Sequence, residues 1–207
     1  MRNVRTRTLL AATIVGAGLL AIPAVTSASP SSTTVTATLT PLNHSSVHGK
    51  ATVTVTGTQL TASIDAAGLL GGAPHAAHIH FGATALHECP NRKAAGADRQ
   101  LATLEGLPFY GPVVVAFTTV GDTSPASVLA VDRYSNAPGG ILDYDRSDIT
   151  TSATVADAIA TGEGVLVIHG VDYNRNGVYD FDAGISDLNG AFPAEATDLA
   201  ACGVLND

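Results

Sequence analysis

The amino-acid sequence predicts an all-β protein, a Greek-key β-sandwich or barrel with one short helix. Three observations predict it: repeated alternation at period two, Gly and Pro clusters between the alternating runs, and a single short helical stretch. In the first run Val35, Ala37 and Leu39 alternate with Thr34, Thr36, Thr38 and Thr40. In the second, Val53 and Val55 alternate with Thr52, Thr54 and Thr56. In the third, Leu60, Ala62 and Ile64 alternate with Gln59, Thr61, Ser63 and Asp65. Each run has an apolar face and a hydroxyl-rich face, as an antiparallel strand with one wet side requires. Gly57-Thr58 between the last two reads as a hairpin turn. Further strands are expected at Val113–Thr119, Val128–Asp132 and Gly164–Gly170, with Gly71-Gly72, Gly111-Pro112 and Pro138-Gly139-Gly140 as breaks. Val155–Ala160, ended by Gly162, is the helical stretch. Asp143, Asp145 and Asp148 read as a solvated turn.

The chain has 207 residues, with 10 basic against 18 acidic side chains and 45% apolar content. Residues 1–28 are expected to be an export signal. Arg2, Arg5 and Arg7 precede an apolar run from Leu9 to Ile22, Pro23 ends it, and Thr26-Ser27-Ala28 supplies small residues before a cut. That run is shorter than the roughly 20 residues needed to span a bilayer. Losing three of the ten basic residues leaves seven against 18 acidic ones, a charge of −11. Such a chain has no general attraction for phosphate backbones, which argues against nucleic-acid binding. Residues 29–33 are expected to be a flexible leader and 34–207 one domain. For an exported protein Cys89 and Cys202 are expected to pair, closing a loop of 113 positions; two free buried thiols are the alternative.

The chemistry-bearing residues are histidines. In His75-Ala76-Ala77-His78-Ile79-His80-Phe81-Gly82, His78 and His80 share one strand face, about 6.5–7 Å apart along the strand. His75 has the opposite parity and is expected to support rather than ligate. His169 ends another apolar run, Val165-Leu166-Val167-Ile168-His169, and could bring a third imidazole to the pair. Neutral imidazoles suit Cu, Zn, Fe and Ni; simple hydrogen bonding is the alternative.

These residues resemble the copper–zinc superoxide dismutase family. Gly68-Leu69 and His75-x-x-His78-x-His80-x-Gly82 look like its copper-binding strand. Cys89 lies nine residues after His80, as the family's disulfide cysteine does. Leu199-Ala200-Ala201-Cys202-Gly203-Val204-Leu205 resembles the strand that carries the partner cysteine, and Val165–His169 the strand with the late copper histidine. The likeness covers 34–90 and 163–205. The stretch with Gly68-Leu69 and Ala77-His78-Ile79-His80 also resembles the chordin-type CHRD domain; the two cysteines favour the dismutase side.

The resemblance implies the dismutase type of β-barrel, copper held by His78, His80 and His169, and His75 behind the ligands linking strands. It implies alternate oxidation of one superoxide to O₂ and reduction of the next to peroxide, with protons drawn from water. The departures are specific. The family's bridging histidine falls at Ala95 and its anion-guiding arginine at Leu199. No histidine lies between His87 and His169, so a zinc site of that kind is not expected. A small anion such as superoxide would find little local attraction. His87 is considered as a fourth ligand; His44 and His48 read as surface residues.

After His169, Asp172-x-Asn174-x-Asn176-Gly177-x-x-Asp180-x-Asp182 spaces oxygen ligands like a calcium loop, but Ala183 stands where a bidentate Glu belongs. An Asx-rich turn is the plainer reading. In either case the loop is expected to fix the mouth of the histidine site, with Asp172 nearest. Asn43-His44-Ser45 is a glycosylation sequon only in a eukaryotic host. The function expected is that of a secreted copper-binding, superoxide dismutase-like protein. The alternatives are a non-catalytic extracellular binding domain and a copper capture protein.

Overall fold

The computed structural model describes residues 31–206; the export signal expected over 1–28 lies outside them. Eight antiparallel strands form one curled sheet, in the order β5-β4-β7-β8-β1-β2-β3-β6. The all-β expectation is met. The strands are β1 (Ser32–Pro41), β2 (His48–Thr56), β3 (Gln59–Ala67), β4 (Ala77–His80), β5 (Val113–Ala116), β6 (Ile141–Thr150), β7 (Val165–His169) and β8 (Leu199–Val204). Three short helices accompany them: α1 (Thr103–Tyr110), α2 (Ala153–Ala160) and α3 (Ala194–Thr197).

The first three strands follow the alternation of the sequence. Val35 pairs with Val53 and Val53 with Ala62, so the apolar residues stack into one buried row across the hairpins. Gly57 turns the β2–β3 hairpin with φ of 60°, a conformation that favours glycine. β1 begins at Ser32, pairing with Thr56, so the sheet reaches into the stretch expected to be a loose leader.

Four expectations are corrected by the structure. Val128–Asp132 is not a strand; the chain there winds through turns into a 3₁₀ segment, Val131–Arg133. Strand β5 stops at Ala116, short of Thr119. Asp143, Asp145 and Asp148 lie not in a turn but on the wet face of β6, with Leu142 and Tyr144 alternating inward. A bulge between Leu60 and Ala62 on β3 and their β6 partners lets Ile149 also reach the core. And among the described residues there are three α-helices, not one. Helix α1 contains Gly106 and Pro108, which hide it from propensity reasoning. Gly106 is required because a Cβ there would overlap the Tyr110 ring.

Side chains of β6 meet the segment that follows β5, at the other end of the sheet order. Tyr144 donates to the Thr118 carbonyl at 3.2 Å, and Arg146 donates to the Thr118 and Gly121 carbonyls at 2.8 and 2.6 Å. The central strands β4 and β7 are buried along their whole length. Their inward residues, Ala77, Ile79, Leu166 and Ile168, join the main core. Their outward residues face a second layer. There Val165 and Val167 pack with Leu101, Tyr110, Leu199 and Cys202 beneath the 81–112 segment. The Cys89–Cys202 disulfide ties that segment to β8.

Candidate metal centre

His78 and His80 project from β4 and His169 from the end of β7, all on this outward but covered face. Main-chain pairing places Ala77 opposite Ile168 and His78 opposite Val167, so the two histidine-bearing ends are neighbours. The His78 ring centroid lies 5.0 Å from that of His169 and 5.8 Å from that of His80. All three side chains are at most 2% exposed. One ring nitrogen from each lies within 4.8 Å of the others.

The hydrogen bonds decide which nitrogen that is. Nδ1 of His80 faces the Gly111 carbonyl at 2.9 Å and Nδ1 of His169 the Thr197 carbonyl at 2.7 Å. A carbonyl only accepts, so each Nδ1 carries the proton and each Nε2 keeps its lone pair. His78 is reversed. Tyr134 donates its hydroxyl proton to the Ser127 carbonyl at 2.7 Å, and the same oxygen accepts from His78 Nε2–H at 2.8 Å. His78 therefore keeps its lone pair on Nδ1. His78 Nδ1, His80 Nε2 and His169 Nε2 are the three buried ring nitrogens with no protein partner among the described residues. Buried acceptors without partners are rare; three from one histidine cluster fit a cation.

The electrostatics agree. Burial, with the neighbouring histidines adding to it, holds His78 well below the usual histidine range. Burial lowers His80 to about 3 and His169 to about 4. All three are neutral at pH 7, the form that binds metal.

His75 lies just before β4. Its Nδ1 is 3.0 Å from the His169 carbonyl, its Nε2 3.0 Å from the Leu70 carbonyl, and the Tyr179 hydroxyl is 3.2 Å away. It thus stands between the loop ahead of β4 and the end of β7. Gly170, with φ of 107°, leaves room for this contact, because a Cβ there would overlap the Tyr179 hydroxyl. His87 is outside the cluster: its Nε2 sits 2.9 Å from the Gly82 carbonyl and its ring stacks on Phe81. His44 and His48 are exposed.

The positions where the resemblance would place a guiding arginine and a bridging histidine are apolar in space as well. Leu199 is fully buried against Leu101, Tyr110 and Cys202, and Ala95 packs on the same cluster. The loop of Asp172, Asn174, Asn176, Asp180 and Asp182 is a network of turns. Asp172 accepts from the Asn176 and Gly177 amides, and Asp180 from the Asn174 and Asn176 carboxamides; Asn174 also reaches Asp182. The fully buried Glu195 pins this loop, accepting from the Tyr173 and Asp180 amides at 2.9 Å each. Asp172 does not line the mouth of the histidine site. It borders a separate open cavity with Asn43 and Arg175.

Sequence reasoning missed Tyr134, Glu195 and the carbonyls of Gly111 and Thr197. Tyr134 lies two residues beyond the stretch read as a strand, Val128–Asp132, and a carbonyl leaves no mark in a sequence. In sequence comparison the chain matches no family model and no curated protein.

Proposed function

We propose that this is an exported copper-binding protein that holds one copper ion on His78 Nδ1, His80 Nε2 and His169 Nε2. The observation that carries the reading is the convergence of three buried, unpartnered lone pairs whose tautomers are set by carbonyl and tyrosine partners. Imidazole alone leaves several first-row metals open. The dismutase resemblance of the H-x-x-H-x-H strand favours copper, and the disulfide fits an oxidising compartment. Bound copper would supply one-electron redox chemistry and a Lewis-acid centre. The chain's own residues supply neutral ligands, fixed ring orientations through Tyr134, Gly111 and Thr197, and exclusion of bulk water.

Holding copper is favoured over fast superoxide turnover, because Leu199 and Ala95 stand where the family's guiding arginine and bridging histidine belong. Purified protein freed of metal should take up about one copper per chain. His78→Ala and His169→Ala should each abolish that uptake. Uptake that survives both substitutions would defeat the assignment. A superoxide-decay assay on the copper form separates turnover from storage.

A further inference from the structure

The histidine cluster opens on one side into a cavity of about 30 Å³ bordered by His78 and His169. That is room for one or two water-sized molecules. Its apolar walls include Val113, Leu129, Val131, Leu188, Phe192 and Ala196. Apart from the histidines, the hydroxyl-bearing residues on the wall are Thr103 and Thr197. Both hydroxyls are committed elsewhere, Thr103 donating to the Thr197 carbonyl at 2.7 Å and Thr197 to Ser186 Oγ at 2.8 Å. No charged side chain lines the cavity. The charged chain neighbours of its wall residues, Asp132, Asp187, Glu195 and Asp198, are all acidic. The nearby Arg133 guanidinium is bound to the Val120 and Asp122 carbonyls and to Ser127 Oγ.

An anion entering this passage would shed its hydration shell between aliphatic walls. It would meet no charged side chain and no uncommitted side-chain hydroxyl before the metal, against the acidic charge of the whole chain. A neutral diatomic molecule pays no such desolvation penalty. We propose that this cavity admits small uncharged ligands, of the class of dioxygen or carbon monoxide, to the bound metal and turns small anions away. This rests on the reading of His78, His80 and His169 as a copper site.

The test uses the full exported protein loaded with copper, with copper per chain measured first. Azide is titrated into the Cu(II) form, followed by electron paramagnetic resonance and charge-transfer absorption. Carbon monoxide is added to the ascorbate-reduced form, followed by its infrared stretch. The reduced wild type should bind carbon monoxide. Azide should bind the wild type about tenfold or more weakly than Leu188→Lys, the lower end of what a placed charge does to ion association. Leu188→Met, similar in length but uncharged, should resemble the wild type. Leu129→Lys, on a different segment of the wall, gives a second charged variant should the first not fold. Equal azide affinity in the wild type and the lysine variants, or an equal gain in Leu188→Met, overturns the gate while leaving the copper site standing. Failure of the copper(I) form to bind carbon monoxide overturns it too. A wild type that takes up no copper overturns the site itself and the gate with it.

Discussion

Tyr134 shows how one side chain sets the chemistry of another. Its hydroxyl proton is committed to Ser127, so it can only accept from His78. Tyr134→Phe should leave the His78 N–H without a partner, at about 1–3 kcal/mol of stability. It should also weaken copper binding by roughly 10–100-fold, as loss of an orienting partner does; a competition titration against a chelator reads the affinity. The lowered histidines make a second prediction. Each binds a proton more weakly folded than unfolded, so below about pH 6.5 the unfolded chain takes up more protons. The contribution of these histidines to the stability of the metal-free protein should be full above that pH. It should fall through the interval down to about 4 for His169 and about 3 for His80. Urea unfolding at stepped pH reads this, and a flat profile between pH 7 and 5 would contradict it.

Asp198 behaves in the opposite sense. Burial raises its carboxyl to about 7, although Tyr173 donates to it at 2.9 Å; its other oxygen has no partner. The folded state here binds the proton more tightly, so the contribution is present below the unfolded pKa near 4 and is lost as pH rises through about 7. Asp198→Asn should therefore be close to neutral at pH 4 and stabilising by about 2–4 kcal/mol at pH 8. Thermal melts of both proteins at the two pH values decide it.

At the scale of the element, the strand period accounts for much of the site. H-x-H on β4 puts two imidazoles on one face whatever the fold. Antiparallel pairing with β7 then brings His169 alongside. The runs that form β1, β2 and β3 are readable because polar residues, mostly Thr, alternate with aliphatic ones over five to seven positions. Strand β6 was not, because Asp143, Asp145 and Arg146 disguise a strand whose inward residues are Leu142 and Tyr144. Its charged groups have a place, since Arg146 spans the seam between β6 and the segment after β5. Arg146→Met should lower stability by about 1–3 kcal/mol through loss of its charged hydrogen bonds to the Thr118 and Gly121 carbonyls while leaving copper per chain unchanged. Parallel loss of copper would show that the seam and the site are coupled.

For the molecule as a whole, the disulfide links the cover of the site to the sheet. The Cys89–Cys202 bridge closes a loop of 113 positions, for which the chain-entropy account gives roughly 4–5 kcal/mol. The double variant Cys89→Ser with Cys202→Ser should lose stability of that order in denaturant unfolding. It should also bind copper less tightly, because the 81–112 segment supplies the Gly111 carbonyl that orients His80. Full copper affinity without the bridge would mean the cover is held by packing alone.

What the sequence alone determined is the set of chemical groups and their local direction: the strand-borne histidines, the cysteine pair and the alternation of the early strands. These follow from side-chain identity and a period of two, which need no knowledge of the remainder of the chain. The tertiary structure decided which nitrogen of each ring is free, that the site opens through aliphatic walls, and that the loop after His169 is pinned by Glu195 away from that opening. Those properties depend on main-chain carbonyls and on residues distant in the chain. Every residue has a carbonyl, so only the folded path selects the few that face a ring.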